Sequence, residues 1–183
     1  MLWSEAGEGN TEKTVELAVA EAKKREIPYV LVASNTGRTA QAVLDEAQGD
    51  LQVICVTHHV GFREPGHDEM EPQMRQALQE QGAKVLTTTH VLAGVDRAVR
   101  NQFGGLYPPE IIASALRMLG QGVKVCVEIA IMALDSGLIP YGAEVVAIGG
   151  TSRGADTAAI IRPAHSNNVF DTRVVEILCR PRP

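Results

Sequence analysis

A chain of 183 residues with a formal net charge of −5, 45% hydrophobic but only 4% aromatic, describes one α/β domain spanning 1–183, with a core of Val, Ile, Leu and Ala. At that size folding buries roughly 70% of the unfolded surface, so no metal or disulfide is needed to hold the core. Lys and Arg are scattered without a basic run, which argues against a nucleic-acid or membrane-surface partner.

Asn10 stands where it can cap a first helix, with Val15, Ala18, Val19 and Ala22 on one face and Ile27-Pro28 as the stop. Tyr29–Ala33 is a continuous apolar run, as expected of a strand buried on both faces. Ser34-Asn35-Thr36-Gly37-Arg38-Thr39 leads into a second helix carrying Ala40, Val43, Leu44 and Ala47, with Gly49 as the stop. Leu51–Val56 reads as the next strand, and Thr57 to Gly66 as a loop. Met70, Met74, Ala77 and Leu78 mark a third helix, Ala83–Leu86 a third strand, Leu92–Arg100 a fourth helix. Pro108-Pro109 opens a helix through Leu119, where a proline costs no first-turn hydrogen bond. The stretch 121–134 fits either periodicity, and its length favours a buried helix. Glu144–Ile148, Ala158–Ile161 and Arg173–Leu178 read as strands, the last two without an intervening helix. The alternation predicts a three-layer α/β/α sandwich on a mostly parallel sheet, with one antiparallel edge.

Cys55, Cys126 and Cys179 sit among apolar neighbours with no metal or redox spacing, which predicts buried thiols and a reducing cytoplasm. Residues 1–10 lack an apolar core segment, so no secretory leader is expected. The longest apolar stretch is broken by Lys124 and Glu128 and is too short to span a bilayer. Glu128 reads as a paired structural carboxylate, and Glu69-Met70-Glu71 as the solvated start of a helix.

Ligands of such sheets bind beyond the carboxyl ends of the strands. Three loops lie there. Ser34–Thr39 offers hydroxyls on Ser34, Thr36 and Thr39, a glycine at Gly37, and the N–H groups of the next helix, a combination suited to an anion. On that reading Gly37→Val blocks the ligand and leaves the domain folded. Gly149–Thr157 offers three glycines, hydroxyls on Thr151, Ser152 and Thr157, and the guanidinium of Arg153, but it is neither a Walker loop nor a dinucleotide turn. Thr57-His58-His59-Val60-Gly61-Phe62 carries adjacent histidines that point to opposite sides, so no metal is predicted there. No nucleophile and base fall at a recognisable spacing, and a hydrolytic role for His58 or His59 ranks last.

In this order the loops resemble those of the C-terminal α/β domain of pyruvate kinase, where Ser34-Asn35-Thr36-Gly37-Arg38-Thr39 matches the turn that cradles a phosphate of the sugar-phosphate activator. Gly9-Asn10-Thr11, Thr57–Phe62, Phe103-Gly104-Gly105, Gly120–Glu128 and Gly149–Thr157 are similar to a family of small stand-alone archaeal and bacterial proteins built of this domain alone. Relatives are expected to carry glycine at position 152. The resemblance implies flavin mononucleotide (FMN) as cofactor, with Ser34, Asn35, Thr36, Gly37, Thr39, Thr57, His58, Gly61, Phe62, Gly150, Thr151, Arg153, Gly154, Ala155, Asp156 and Thr157 as the binding residues. Phe62, Phe103 and Trp3 are the aromatic candidates for the flavin ring. A homo-oligomer is an expectation from the same source. So is the lack of pyruvate kinase activity, since the catalytic barrel does not fit beside this domain in 183 residues. Two functions compete: a flavin protein, whose enzyme class would be an oxidoreductase, and a regulatory sensor of a sugar phosphate or nucleotide.

Overall fold

The apolar runs of the sequence become strands whose alternate residues face opposite layers. In the computed structural model, which describes residues 1–182, they are β1 (Leu2–Trp3), β2 (Tyr29–Ala33), β3 (Gln52–Val56), β4 (Lys84–Leu86), β5 (Val145–Gly149), β6 (Thr157–Arg162) and β7 (Arg173–Pro181). The helices are α1 (Thr11–Lys24), α2 (Arg38–Ala47), α3 (Pro72–Glu80), α4 (Val95–Phe103), α5 (Pro108–Arg117) and α6 (Gln121–Asp135). One seven-stranded sheet runs in the order β1-β7-β6-β5-β2-β3-β4. From β5 to β4 it is parallel, while β6 is antiparallel to both β5 and β7.

Val30, Val32, Val53 and Cys55 point into the layer formed by α1, α2 and α3, where Val15, Ala18, Val19, Ala40, Val43 and Leu78 meet them. Leu31, Ile54 and Val56 point the other way, onto α6. The result is the expected three-layer sandwich with a mostly parallel sheet. Helix α6 is apolar nearly all round because the sheet lies on one side of it and α5 on the other. Its helical reading holds against the strand-like alternation of Val123, Val125 and Val127.

Three local expectations are corrected. Asn10 precedes α1 without capping it through its side chain, because its amide donates instead to the carbonyls of Glu5 and Gly7 and folds a short 3-10 turn at Glu8–Asn10. The fourth helix starts at Val95, three residues after Leu92; the N–H groups of Leu92 and Gly94 ahead of it donate to Glu128 of α6 and to Asp96. The antiparallel strand β7 is not the edge: Leu2-Trp3 pairs with Arg180-Pro181 as a further parallel strand too short to show a period.

The chain steps outward from β2 to β3 and β4, then returns to the other side of β2 as β5. This reversal of strand order opens a crevice at the carboxyl ends of β2 and β5, the place where open α/β sheets take their ligands.

A cleft at the switch point

A cavity of about 400 Å³ opens beyond Ala33 of β2, Val56 of β3 and Gly150 after β5. Its volume falls in the ~300–1,000 Å³ range of small-molecule sites. The floor is α6, presenting Lys124, Val125, Glu128 and Ile129.

One wall is aromatic. His58 stacks on Phe62 with ring centroids 3.7 Å apart and planes at 22°. His90 lies 5.4 Å from both rings, and His59 packs edge-on to Phe62 at 5.5 Å. Asn35 fixes the state of His58. The main-chain N–H of His58 donates to Asn35 Oδ1 (3.0 Å), so the group facing His58 Nε2 at 3.2 Å is the Asn35 amide, a donor. Nε2 therefore accepts, and the ring proton sits on Nδ1, which donates to Glu69 Oε2 at 2.5 Å. Glu69 also accepts from Arg63 Nε at 3.0 Å. It is thus a largely buried anchor for the wall, not the solvated helix start that its neighbours in sequence suggest.

The floor carries a buried ion pair. Lys124 and Glu128 are 6% and 4% exposed, sit one helical turn apart, and bond Nζ to Oε2. Glu128 Oε1 accepts the N–H of Leu92 at 3.0 Å, which ties the segment bearing His90 and Ala93 to α6. Glu128 is the paired carboxylate that its apolar surroundings predict. Burial holds the His90 imidazole below its ordinary pKa, and the carboxylate of Glu128 works against this.

The glycine-rich loop after β5 forms the remaining side. Gly150, Ser152, Arg153 and Gly154 line the cleft. Ser152 stands at φ +74, in the left-handed region that glycine enters freely, which fits the expectation of glycine there. The far end of the loop turns inward. Asp156 is fully buried, accepts from the N–H groups of Gly7 (2.9 Å) and Thr151 (3.1 Å) through Oδ2, and takes the Thr157 hydroxyl on Oδ1 at 2.7 Å. The N–H of Ala155 donates to Thr11 Oγ1 at 3.0 Å. A Cβ on Gly154 would fall 2.6 Å from Glu8 Cα. These residues lace the loop to the N-terminal segment.

The sixteen residues expected from the sequence thus divide. Asn35, Thr57, His58, Phe62, Gly150, Arg153 and Gly154 meet in the cleft, with Gly61 and Thr151 beside it in the same loops. Ala155, Asp156 and Thr157 are buried in packing. Of the Ser34–Thr39 turn, only Asn35 reaches the cleft. Ser34 is 6% exposed, with Oγ facing the N–H of Ala40 at 3.4 Å, and Thr39 is 9% exposed. Thr36 is exposed outside the cleft. Gly37 is glycine for packing: at φ +89, a Cβ there would lie 2.9 Å from Met74 Sδ. Its expected role of letting a ligand approach gives way to that contact. Of the aromatic candidates, Trp3 is 8% exposed and donates Nε1–H to the carbonyl of Asp156, and Phe103 is 77% exposed on α4. Neither lines the cleft, which leaves Phe62.

Sequence reading missed Arg63, Arg97, Arg117 and Lys124, which also line the cleft. They come from a loop and three helices. No local pattern in the sequence could have grouped them.

A family model described as "Pyruvate kinase, alpha/beta domain" matches residues 12–161. A solved structure of a pyruvate kinase from Cryptosporidium parvum aligns with 83% of this chain and 22% of its own, at a TM-score of 0.45 and 16% identity. A second C. parvum pyruvate kinase structure aligns over the same shares at 0.43 and 16%. The chain spans about a fifth of the length of these enzymes. With most of its residues under the family model, the chain belongs to the family of the pyruvate kinase α/β domain.

Proposed function

We propose that the chain binds a phosphate-bearing small molecule in the cleft at the carboxyl ends of β2, β3 and β5, and that FMN is this ligand. The observation that carries the reading is the pairing, in one cavity, of a stacked wall of His58, Phe62 and His90 with a cluster of cationic side chains. A flat aromatic ring needs the first and a phosphate ester the second. When bound, FMN would supply electron and hydride transfer. The chain's own residues would position it: Phe62 and His58 stack the ring, Asn35 and Glu69 hold His58 in one tautomer, and the loop residues Gly150 to Arg153 face the ligand from the other elements of the cleft. On this reading the chain does not itself carry out the pyruvate kinase reaction.

The test is a titration of the purified protein with FMN, followed by absorbance and by flavin fluorescence, which stacking on the wall should quench. Saturable quenching with co-elution in gel filtration is the expected result. No spectral change at millimolar FMN refutes the flavin assignment. A colourless protein that is instead stabilised by a sugar phosphate would make it a sensor; ligand at about 100 times Kd adds ~2.7 kcal/mol.

A further inference from the structure

We infer that the anion of the ligand is held by Arg97, Arg117 and Arg153, and not by the Ser34–Thr39 turn to which the pyruvate kinase resemblance would give that role; the inference rests on the phosphate-ester reading above. Apart from Asn35 the turn does not reach the cleft, and its exposed Thr36 and Arg38 lie outside it. Its Ser34 and Thr39 are buried, Gly37 is packed on Met74, and the amide of Asn35 is committed to His58.

The charges in the cleft point elsewhere. In a chain of net charge −5, five cationic side chains (Arg63, Arg97, Arg117, Lys124, Arg153) line the cleft against one carboxylate, Glu128. Glu128 neutralises Lys124, and Glu69 neutralises Arg63. The other three have no carboxylate partner among the described residues. Arg97 lies over the Phe62 ring at 5.7 Å, a contact that leaves its charge uncompensated. Arg117 donates Nε–H to the neutral amide oxygen of Gln121 at 2.7 Å, which holds the fork in place and leaves its outer nitrogens free. Arg153 lines the cleft from the glycine loop. Three like charges supplied to one cavity by α4, α5 and a loop repel one another until an anion joins them.

The geometry also gives the anion a side. Beyond Arg97 and Arg117 the surface continues into a hollow of about 240 Å³ whose lining includes Asp96 and Glu110. Glu110 there is paired with Arg100, whereas Asp96 has no cationic partner among the described residues and disfavours a dianion, so the phosphate belongs on the cleft side. Because Arg97 contacts Phe62, the anion subsite adjoins the aromatic wall, and one ligand can span both.

Two arms test this. Thermal unfolding with 5–10 mM inorganic pyrophosphate (about that range suits a weak anion site) reads the subsite without any flavin. Wild type and Thr36→Ala should be stabilised, and Arg117→Met/Arg153→Met should not; all three positions are exposed, so the variants fold. Equal stabilisation of the double variant, no stabilisation of wild type, or loss of the effect in Thr36→Ala overturns the inference. The second arm compares FMN with riboflavin, which lacks the phosphate. Wild type should prefer FMN by about 100-fold, and the single variants Arg117→Met and Arg153→Met should each lose about 10-fold of that preference with riboflavin affinity unchanged. A preference retained in both variants overturns the inference. If pyrophosphate behaves as expected and neither flavin binds, the anion subsite stands and the flavin assignment fails.

Discussion

The buried pair beneath the cleft makes a demanding test of how the site is held. Lys124→Met removes one partner and leaves the Glu128 carboxylate at 4% exposure, with only the N–H of Leu92 to compensate it. Stranding one ion of a buried pair costs about 3–5 kcal/mol. For a chain of this size, where 1 kcal/mol shifts melting by roughly 2–4 °C, the loss is roughly 6–20 °C. The double variant Lys124→Met/Glu128→Gln removes both charges and keeps an amide oxygen where Oε1 accepts from Leu92. It should recover most of the loss, to within about 1–2 kcal/mol of wild type. Lys24 on α1 serves as control: it pairs with Glu21 at 2.9 Å but is 72% exposed, and Lys24→Met should leave melting unchanged. Melting followed by far-UV circular dichroism, with urea titrations for the free energies, measures all four proteins. A loss below about 1 kcal/mol for Lys124→Met, or a double variant as unstable as the single, would refute the idea that desolvated charge dominates here.

Gly37→Val should destabilise the fold rather than only block a ligand: positive φ costs about 1–2 kcal/mol and overpacking about 1–3 kcal/mol, and part of the loss should return in a Met74→Ala background because that side chain meets the new Cβ. Since burial depresses His90, the unfolded chain binds its proton first, and stability should fall as pH drops through about 6.5; His90→Gln should flatten that part of the profile, and an unchanged profile would remove His90 as its source. The N–H of Met70, with help from Arg75, holds Asp68 below the usual carboxylate range, so its contribution is present above about pH 4 and lost as pH falls through the depressed value; the gap between wild type and Asp68→Asn should therefore close in acid. Burial pushes the Cys55 thiol up to about 12 and raises Cys126 and Cys179 as well, so a disulfide exchange reagent should label no thiol in the native protein and three after denaturation.

The fold could be read from the sequence because its signals are local. Tyr29–Ala33 and Val53–Val56 are apolar on both faces, which only a sheet covered on both sides explains. The boundaries of α1, α2 and α6 follow from the proline, glycine and aspartate that flank them. What failed to show was two residues long or depended on distant partners: β1 exists because Arg180-Pro181 accepts it, and the segment ahead of α4 is tied through the N–H of Leu92 to Glu128, thirty-six residues away. The cleft obeys the same rule. Phe62, His58 and Arg153 stood out in loops, whereas Arg97 and Arg117 are unremarkable helix residues until α4 and α5 bring them to one cavity.

The loop after β5 shows why a phosphate-like signature can have a structural cause. A run of Gly, Ser and Thr reads as an anion cradle because its backbone N–H groups seek negative charge. In Gly149–Thr157 the chain supplies part of that charge itself. Buried Asp156 receives the N–H of Thr151 from its own loop and the N–H of Gly7 from the N-terminal segment, so a carboxylate occupies one pole of the cradle. Glycine at 154 is required by Glu8 and Thr11, and Thr157 closes on Asp156 and on Gly122 of α6. The residues left to face a ligand are those before this internal knot, Gly150 to Arg153. An external anion at this loop must therefore be met from the outside by guanidinium groups, and the arginines of α4 and α5 line the same cleft as the loop.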